Sequence, residues 1–383
     1  MRVSALIISF FLMEGVASAV PSVSSVSLGT SVAVSGTGFG TKSPATPLYW
    51  DGFETYTAGA APTAGGWIVR AGTPTVSTTR AYSGTKAVEF ITTSTAFQQM
   101  SRDMGSMETI YYRGKTYLDN SLNPCGRYQW KGLRFSSSPG AYAINEEPTT
   151  SIFLMDSWWY STTGWGNTGS PYSYYNGGTN GGSLSAPSTL FPFEQWFDYE
   201  FIGKRATAPS TANGSATITI NGTQKSSKTD YTTHDADDGG YRYMLMGGTV
   251  ASCTTGDGTT PITPNNRIYY DDVYMDNTVA RVELCDSPTW GSRTHCEIQP
   301  PAAWSDTAIT TTYNQGSFAV GATAYLYIVD STGAVSAASG PITISVPGAR
   351  NVNGIGSTGG IGHFTSMGIV PSGHYSYTNI VMH

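Results

Sequence analysis

Short runs in which apolar and polar residues alternate recur along most of this chain, separated by clusters of Gly, Pro, Asn and Ser. A period of two is typical of strands with one buried face, and the separating residues are those that tight turns require. No run shows a helical period. The pattern therefore predicts an all-β protein, with its clearest strands at Tyr111–Leu118, Tyr128–Phe135, Ser151–Tyr160, Trp196–Lys204, Ala216–Ile220, Tyr241–Met246 and Arg267–Asp276.

Turn chemistry and composition support the same fold class. Asn221-Gly222 separates ATITI from TQKSS, which predicts a two-residue β-hairpin. Only 12% of residues are charged, while 45 are Gly and 24 are Tyr, a mixture that disfavours helices. The net charge is −6, and the 20 Lys and Arg residues form no basic stripe, which excludes nucleic acid as a partner.

The first 19 residues have the features of an export signal. Arg2 supplies the positive start, residues 3–16 form the apolar run, and Ala17-Ser18-Ala19 is a small-residue cleavage site. No later segment is apolar for long enough to span a bilayer, so we expect no membrane insertion. The sequence thus predicts a secreted protein, extracellular or at the cell surface.

Four cysteines in an exported chain make disulfides the default expectation. Sequence alone permits three pairings. Cys285 and Cys296 are close neighbours around a loop, which favours that pair and leaves Cys125 for Cys253 by elimination. None has the spacing of a zinc site.

Residues 22–40 form a short strand pair that is too small to fold alone and ends in Ser35-Gly36-Thr37-Gly38-Phe39-Gly40. Similar later strands lie at 280–286, at Trp304-Ser305-Asp306-Thr307 and at 323–345. Together these stretches resemble an IPT/TIG domain, a small immunoglobulin-like β-sandwich. Residues 20–47 and 278–347 together have the length of about 100 residues that such a sandwich needs. The resemblance implies a domain interrupted by an insertion; the alternative is an N-terminal arm followed by two domains in series.

The intervening residues 48–277 open with Leu48-Tyr49-Trp50-Asp51-Gly52-Phe53-Glu54 and close with Tyr270-Asp271-Asp272-Val273-Tyr274-Met275-Asp276. With the segment at 81–87, this order resembles a concanavalin A-like lectin/glucanase jelly roll. The resemblance implies two stacked antiparallel sheets with one concave face able to hold a sugar chain. Residues 348–383 are a Gly-rich tail, either mobile or used in assembly.

Aromatic residues cluster near 158–175, where a Gly-rich loop makes it difficult to bury them all. Exposed aromatic patches usually mark binding sites, and sugars stack on aromatic rings. Because neighbours on a strand face opposite ways, about half of these residues are expected to fill the core. We predict that Trp158, Tyr160 and Trp165 face a carbohydrate.

Cations share faces of two predicted strands: Arg113 with Lys115 on the first, and Lys131 with Gln129 on the second, with Arg134 on its other face. In a lyase, such cations would neutralise a uronate carboxylate while a Tyr or His acts as base. Arg113, Lys115 and Lys131 are therefore predicted glycan contacts. The alternative is a solvated face paired with acidic residues.

Acidic residues stand at both ends of the jelly-roll region, whose first and last strands are expected to lie side by side. Asp51, Glu54, Asp271 and Asp272 would then converge, and such a set suits Ca²⁺ in a structural role. The alternative is that Asp51 and Asp272 only end strands and cap turns.

The motifs favour glycan contact more clearly than catalysis. The Glu-x-Asp-x-x-Glu motif of glucanases with this fold is absent, as are the Arg-x-Glu, Gln-x-His and Tyr-Phe-Lys strand motifs of jelly-roll alginate lyases. The leading prediction is a secreted carbohydrate-binding protein that recognises a polysaccharide or cell-surface glycan. The alternatives are a polysaccharide lyase or glycoside hydrolase acting on an anionic glycan, and an extracellular adhesion or assembly component.

Overall fold

A computed structural model describes most of the chain between residues 20 and 345. The predicted signal peptide, the Gly-rich tail, Cys125 and Trp165 lie outside the described residues. The described ranges are 20–92, 98–119, 127–136, 152–160, 170–175, 182–185, 192, 194–233, 240–254 and 266–345.

These residues form antiparallel strands and two short 3₁₀ turns, at Thr63–Gly65 and Trp290–Ser292. The first twelve strands are β1 (Ser22–Leu28), β2 (Ser31–Thr37), β3 (Tyr49–Asp51), β4 (Ile68–Ala71), β5 (Thr75–Ser77), β6 (Ala87–Thr92), β7 (Gln98–Met107), β8 (Thr109–Leu118), β9 (Arg127–Ser136), β10 (Ile152–Tyr160), β11 (Ser170–Tyr175) and β12 (Gly182–Ser185). The remaining strands are β13 (Trp196–Lys204), β14 (Gly214–Ile220), β15 (Thr223–Tyr231), β16 (Tyr241–Thr254), β17 (Asn266–Asp276), β18 (Arg281–Cys285), β19 (Cys296–Ile298), β20 (Pro301–Trp304), β21 (Ala308–Thr312), β22 (Thr323–Val329) and β23 (Ser339–Thr343). The predicted all-β fold class is confirmed.

The larger sandwich comprises two sheets built from β3–β17. One sheet has seven strands in the order β12-β11-β10-β9-β16-β7-β4. The other has eight, in the order β15-β14-β13-β8-β17-β6-β5, with β3 paired to β17. The two sheets enclose one apolar core, to which Met100, Leu133 and Met244 contribute from the first sheet and Tyr112 and Val88 from the second.

The smaller sandwich contains two four-stranded sheets, in the orders β1-β2-β21-β20 and β19-β18-β22-β23. Its core combines Val32, Val34 and Phe39 from near the N-terminus with Leu326 and Ile328 from near the end of the described chain. The β1–β2 hairpin therefore pairs with a strand that follows the larger sandwich in sequence, while the domain boundaries and the insertion stay predictions. The identity of this unit as an IPT/TIG domain stays a prediction.

The first strand pair is held to the later residues by main-chain contacts as well as packing. The register places Val34 opposite Ile309, and the Phe39 N–H donates to the Asp306 carbonyl at 3.1 Å. The Gly40 N–H donates to the Asp306 carboxylate at 2.9 Å. These bonds fix the point at which the chain leaves the smaller sandwich.

Two local predictions are also confirmed. The β14–β15 hairpin turns at Asn221 and Gly222, both with positive φ (49° and 71°), as a type I′ turn requires. A disulfide joins Cys285 to Cys296 between the paired strands β18 and β19. The predicted Cys125–Cys253 pairing lies outside the described residues. No helix in the described ranges is long and apolar enough to cross a membrane.

Candidate functional site

The seven-stranded sheet has one face toward the core and one face outward, and the strand register separates the two. Met246 lies opposite Met100 and Leu133, and all three belong to the core. Leu245 lies opposite Ser101 and Arg134. Because side chains alternate along a strand, Ser101, Arg134 and Leu245 share the outward face.

Several polar side chains lie on this outward face of β4, β7, β9 and β16. We call Arg70, Gln99, Ser101, Arg134 and Tyr243 the arginine face. Gln99 and Ser101 alternate with the core residue Met100, and Tyr243 precedes Leu245 by two positions. Arg70 donates from Nε to the Ser101 hydroxyl at 2.6 Å.

The arginine face is largely sheltered from solvent. Arg134 is 7% exposed, Tyr243 is 8% exposed and Gln99 is 7% exposed, whereas Arg70 on the edge strand is exposed. Facing residues on adjacent strands have Cβ atoms about 5 Å apart. The face thus combines two guanidinium groups, a phenol and an amide, which are the kinds of side chain that bind carboxylates and hydroxyls.

The predicted contacts Lys131, Trp158 and Tyr160 lie on strands of the same sheet. Lys131 is opposite Asp156, and Trp158 is opposite Gln129. Their side chains, and the whole of Trp165, lie outside the described part of the chain. Their role as glycan contacts stays a prediction.

Arg113 and Lys115 have a different environment, on the outward face of the eight-stranded sheet and beneath the smaller sandwich. They are 6% and 5% exposed. Arg113 pairs with Asp198 at 2.5 Å and Glu283 at 2.8 Å, and Lys115 pairs with Asp198 at 3.2 Å and Glu297 at 3.6 Å. The expectation that they share a face with each other was right. Their charges are already paired and the smaller sandwich covers them, so the structure gives no support for a glycan contact at these two residues.

The buried ion pairs lower the pKa of the Asp198 carboxyl. Burial alone would raise the pKa of the Asp198 carboxyl, but Arg113 and Lys115 hold that pKa well below its usual range. The Cys296 carbonyl also accepts bonds from Arg113 at 3.1 Å and Lys115 at 3.2 Å. This network joins the two sandwiches.

The predicted metal ligands flank the pairing of β3 with β17, where Asp51 lies opposite Val273. The first and last strands of the jelly-roll region are thus adjacent, as expected. Asp51 accepts from the Phe53 N–H at 2.8 Å and the Tyr56 hydroxyl at 2.5 Å. Glu54 accepts from the main-chain N–H groups of residues 85 and 86 at 2.8 and 2.7 Å.

Asp271 and Asp272 are the more deeply buried members of this acidic set. Asp271 accepts from the N–H groups of Tyr82 and Ser83, whereas the Oδ2 atom of Asp272 is buried without a hydrogen-bond partner. Burial, then the neighbouring Asp272 carboxylate, raises the pKa of Asp271; burial, then the Glu297 carboxylate, raises the pKa of Asp272.

These residues fit a cation in part. The unpaired oxygen of Asp272 and the crowding of buried carboxyls are what a hard cation such as Ca²⁺ would relieve. However, the four predicted ligands do not bring three carboxylates within 4.8 Å of one another. Within the described ranges, the possible ligand atoms that lie this close together belong to Glu283, Cys285 and Cys296. Both cysteines are in the disulfide. A Ca²⁺ site at Asp51, Glu54, Asp271 and Asp272 stays a prediction.

No protein-family model and no curated protein matches this chain. Several solved structures are similar to it at low identity. An endo-β-1,4-glucuronan lyase from the fungus Trichoderma reesei is 16% identical over 60% of this chain and 95% of that chain, with a TM-score of 0.43. Alginate lyase Aly36B is 16% identical over 60% of this chain and 97% of that chain, with a TM-score of 0.45. An alginate lyase from Aplysia kurodai is 11% identical over 60% of this chain and 98% of that chain, with a TM-score of 0.43. Similarities this weak assign no activity.

Sequence reasoning did not single out Gln99, Ser101 or Tyr243. The available signal was their alternation with methionines, as in Gln99-Met100-Ser101 and Tyr243-Met244-Leu245. That alternation indicates one apolar and one mixed face. It does not indicate that strands about 140 residues apart in sequence lie side by side, which is a consequence of the β7–β16 pairing.

Proposed function

We propose that this protein acts outside the cell on an anionic polysaccharide, which it binds on the arginine face and cleaves by elimination. The observation that carries the proposal is the position of Arg134 and Tyr243 on adjacent strands of one outward sheet face. Polysaccharide binding was the leading prediction from sequence, without assignment to a particular sheet. The proposal adds the lyase reaction, which was the alternative.

The reaction needs two kinds of group. Removing the proton next to a uronate carboxylate becomes easier when a cation neutralises the carboxylate, a role proposed for Arg134 with Arg70 at the rim. The proton passes to a base, the C4–O4 bond breaks, a C4=C5 double bond forms, and the departing oxygen takes a proton. The Tyr243 hydroxyl is proposed to carry the proton in these transfers.

The test is incubation with polyglucuronate, polymannuronate, polyguluronate and neutral glycans, followed by ultraviolet absorbance of unsaturated ends and by a separate binding measurement. Tyr243→Phe is expected to lower cleavage by about 100-fold or more while binding is retained. Arg134→Gln is expected to weaken both binding and cleavage of the acidic polymers.

Matched control variants lie on the other sheet. Tyr269 donates its hydroxyl to Glu89 at 2.9 Å, and Arg267 pairs with the same carboxylate. Tyr269→Phe and Arg267→Gln should leave cleavage unchanged. Binding without unsaturated products from any acidic polymer would exclude the lyase reaction and support the carbohydrate-binding protein predicted from sequence. Neither binding nor cleavage would overturn the proposal as a whole.

A further inference from the structure

A cleft of about 440 Å³ opens where the first strand of the larger sandwich meets the smaller one. Its walls come from β3 and the loop that follows it, from Ser83 and β17, and from Asn314 of the smaller sandwich. Ligand sites are frequent at such junctions between units. Its lining includes the aromatic and polar residues Trp50, Glu54, Tyr56, Ser83, Asp272 and Asn314.

Trp50 supplies the large apolar surface of the cleft. It faces outward from the eight-stranded sheet, because its strand neighbours Tyr49 and Asp51 are buried on the inner side. Its ring meets Tyr274 edge to face, with the ring centroids 6.5 Å apart, and remains only partly buried. The indole also packs against Tyr111 and Ile298, and only its remaining exposed part is available to stack on an apolar group in the cleft.

Two polar side chains near Trp50 have hydrogen-bonding groups without a partner among the described residues, one buried at Asp272 and one at Asn314. Asp272 is 5% exposed and its Oδ2 atom has no partner, while Oδ1 accepts from the Ser83 hydroxyl at 3.0 Å. The Asn314 amide donates one hydrogen to the Ile298 carbonyl at 3.1 Å, which leaves its second amide hydrogen. Acceptors and donors thus stand beside an aromatic surface.

The charge of the cleft selects against acidic ligands. Asp51, Glu54 and Asp272 line it. Arg113 and Lys115 reach only the small void that continues behind Trp50 and Asp272, where carboxylates already pair with both. A uronate would therefore place its charge against carboxylates, whereas sugar hydroxyls would meet acceptors and an amide donor.

We propose that this cleft binds one uncharged sugar unit of a neutral glycan, with Trp50 as the stacking surface and Asp272 and Asn314 as partners of the hydroxyls. The site is on the eight-stranded sheet and is separate from the arginine face on the seven-stranded sheet. It would attach the protein to a neutral polymer while the arginine face binds and cleaves an acidic one. It does not depend on the lyase proposal.

The experiment titrates the full chain with neutral cello-, manno- and xylo-oligosaccharides, using calorimetry and tryptophan fluorescence, in EDTA and again with Ca²⁺. Trp50→Phe keeps the contact with Tyr274 but reduces the stacking area, and should weaken binding by about tenfold. Asp272→Asn keeps the shape, and Asn tolerates the positive φ of 46° at this position. It should also weaken binding, and it keeps the test valid if the Trp50 variant fails to fold.

The controls separate this site from others. Trp290 packs edge to face on Tyr327 in the smaller sandwich, with the centroids 5.1 Å apart, so Trp290→Phe matches the first substitution. Trp290→Phe and Arg134→Gln should leave neutral-sugar affinity unchanged. Failure of every neutral oligosaccharide to bind, with or without Ca²⁺, would overturn the proposal. The proposal would also be overturned if both cleft variants bound neutral oligosaccharides as tightly as the unsubstituted protein. It would likewise be overturned if Arg134→Gln abolished that binding.

Discussion

Asp271 and Asp272 are neighbouring buried carboxyls at the point where the pairing of β17 with β8 becomes irregular. Their pKa values are raised in the folded protein, so the folded state keeps protons that the unfolded state has already lost. Rising pH therefore favours unfolding across the interval from the ordinary aspartate pKa to the raised ones. The contribution of Asp271 and Asp272 to the free energy of unfolding therefore decreases as the pH rises. The contribution of an ion-paired aspartate such as Asp198 increases with pH.

We expect the free energy of unfolding in EDTA to fall between about pH 4 and pH 8, with one unit of pKa shift worth about 1.4 kcal/mol. Urea unfolding across that range measures the slope. The double substitution Asp271→Asn with Asp272→Asn should flatten it, whereas Asp230→Asn on the exposed strand β15 should not. A slope that survives the double substitution would contradict this assignment.

Calcium provides a second measurement at the same residues. The ionised carboxyls attract a cation more strongly than the protonated ones, so added Ca²⁺ should raise the melting temperature more at about pH 8 than at about pH 5. A melting temperature that Ca²⁺ leaves unchanged at both values would contradict the predicted cation site.

The β18–β19 hairpin is the element that closes the buried ion network. The Cys285–Cys296 disulfide spans 11 positions, and the same two strands carry Glu283 and Glu297, which pair with Arg113 and Lys115. The disulfide therefore restrains the strands that supply two carboxylates and the Cys296 carbonyl. Loosening them would leave buried cations without full compensation, which is costly.

Replacing both cysteines, Cys285→Ala with Cys296→Ala, should lower the free energy of unfolding by about 2–4 kcal/mol or more. Chemical denaturation measures the loss. Thr294→Ala alters the same loop, where Thr294 bonds to Asp286 at 2.5 Å near the surface, and should cost much less. Equal losses in the two variants would show that the disulfide does not restrain this network.

At the scale of the whole molecule, the smaller sandwich is assembled from chain segments on both sides of the larger one. β2 is hydrogen-bonded to β21, and Val32, Val34 and Phe39 fill a core otherwise formed by later strands. Without the N-terminal hairpin, β21 would lose its neighbour and that core would lose three buried side chains.

Deleting residues 20–40 should therefore unfold the smaller sandwich, although those residues lie at one end of the chain. Limited proteolysis should then cleave between residues 281 and 343, and the Trp290 environment should change. Ser27→Ala, at an exposed position of the same hairpin, serves as a control and should leave the sandwich intact. Resistance of the smaller sandwich to proteolysis after the hairpin deletion would favour two domains in series.

The amino-acid sequence by itself determined the local features. Alternation predicted strands such as Trp196–Lys204, Asn-Gly predicted the hairpin at residue 221, and proximity in sequence predicted the Cys285–Cys296 pair. Each of these features depends on residues that are neighbours along the chain. Backbone preferences and short loops leave such residues few possible conformations and pairings.

Only the tertiary structure decided what lies against each strand face. A period of two shows that Arg113 and Lys115 share a face, but the smaller sandwich buries that face and supplies Glu283 and Glu297. The arginine face likewise exists because β7, β9 and β16 pair across long stretches of sequence. Partners that distant are selected by packing and pairing of whole sheets, which no local pattern records.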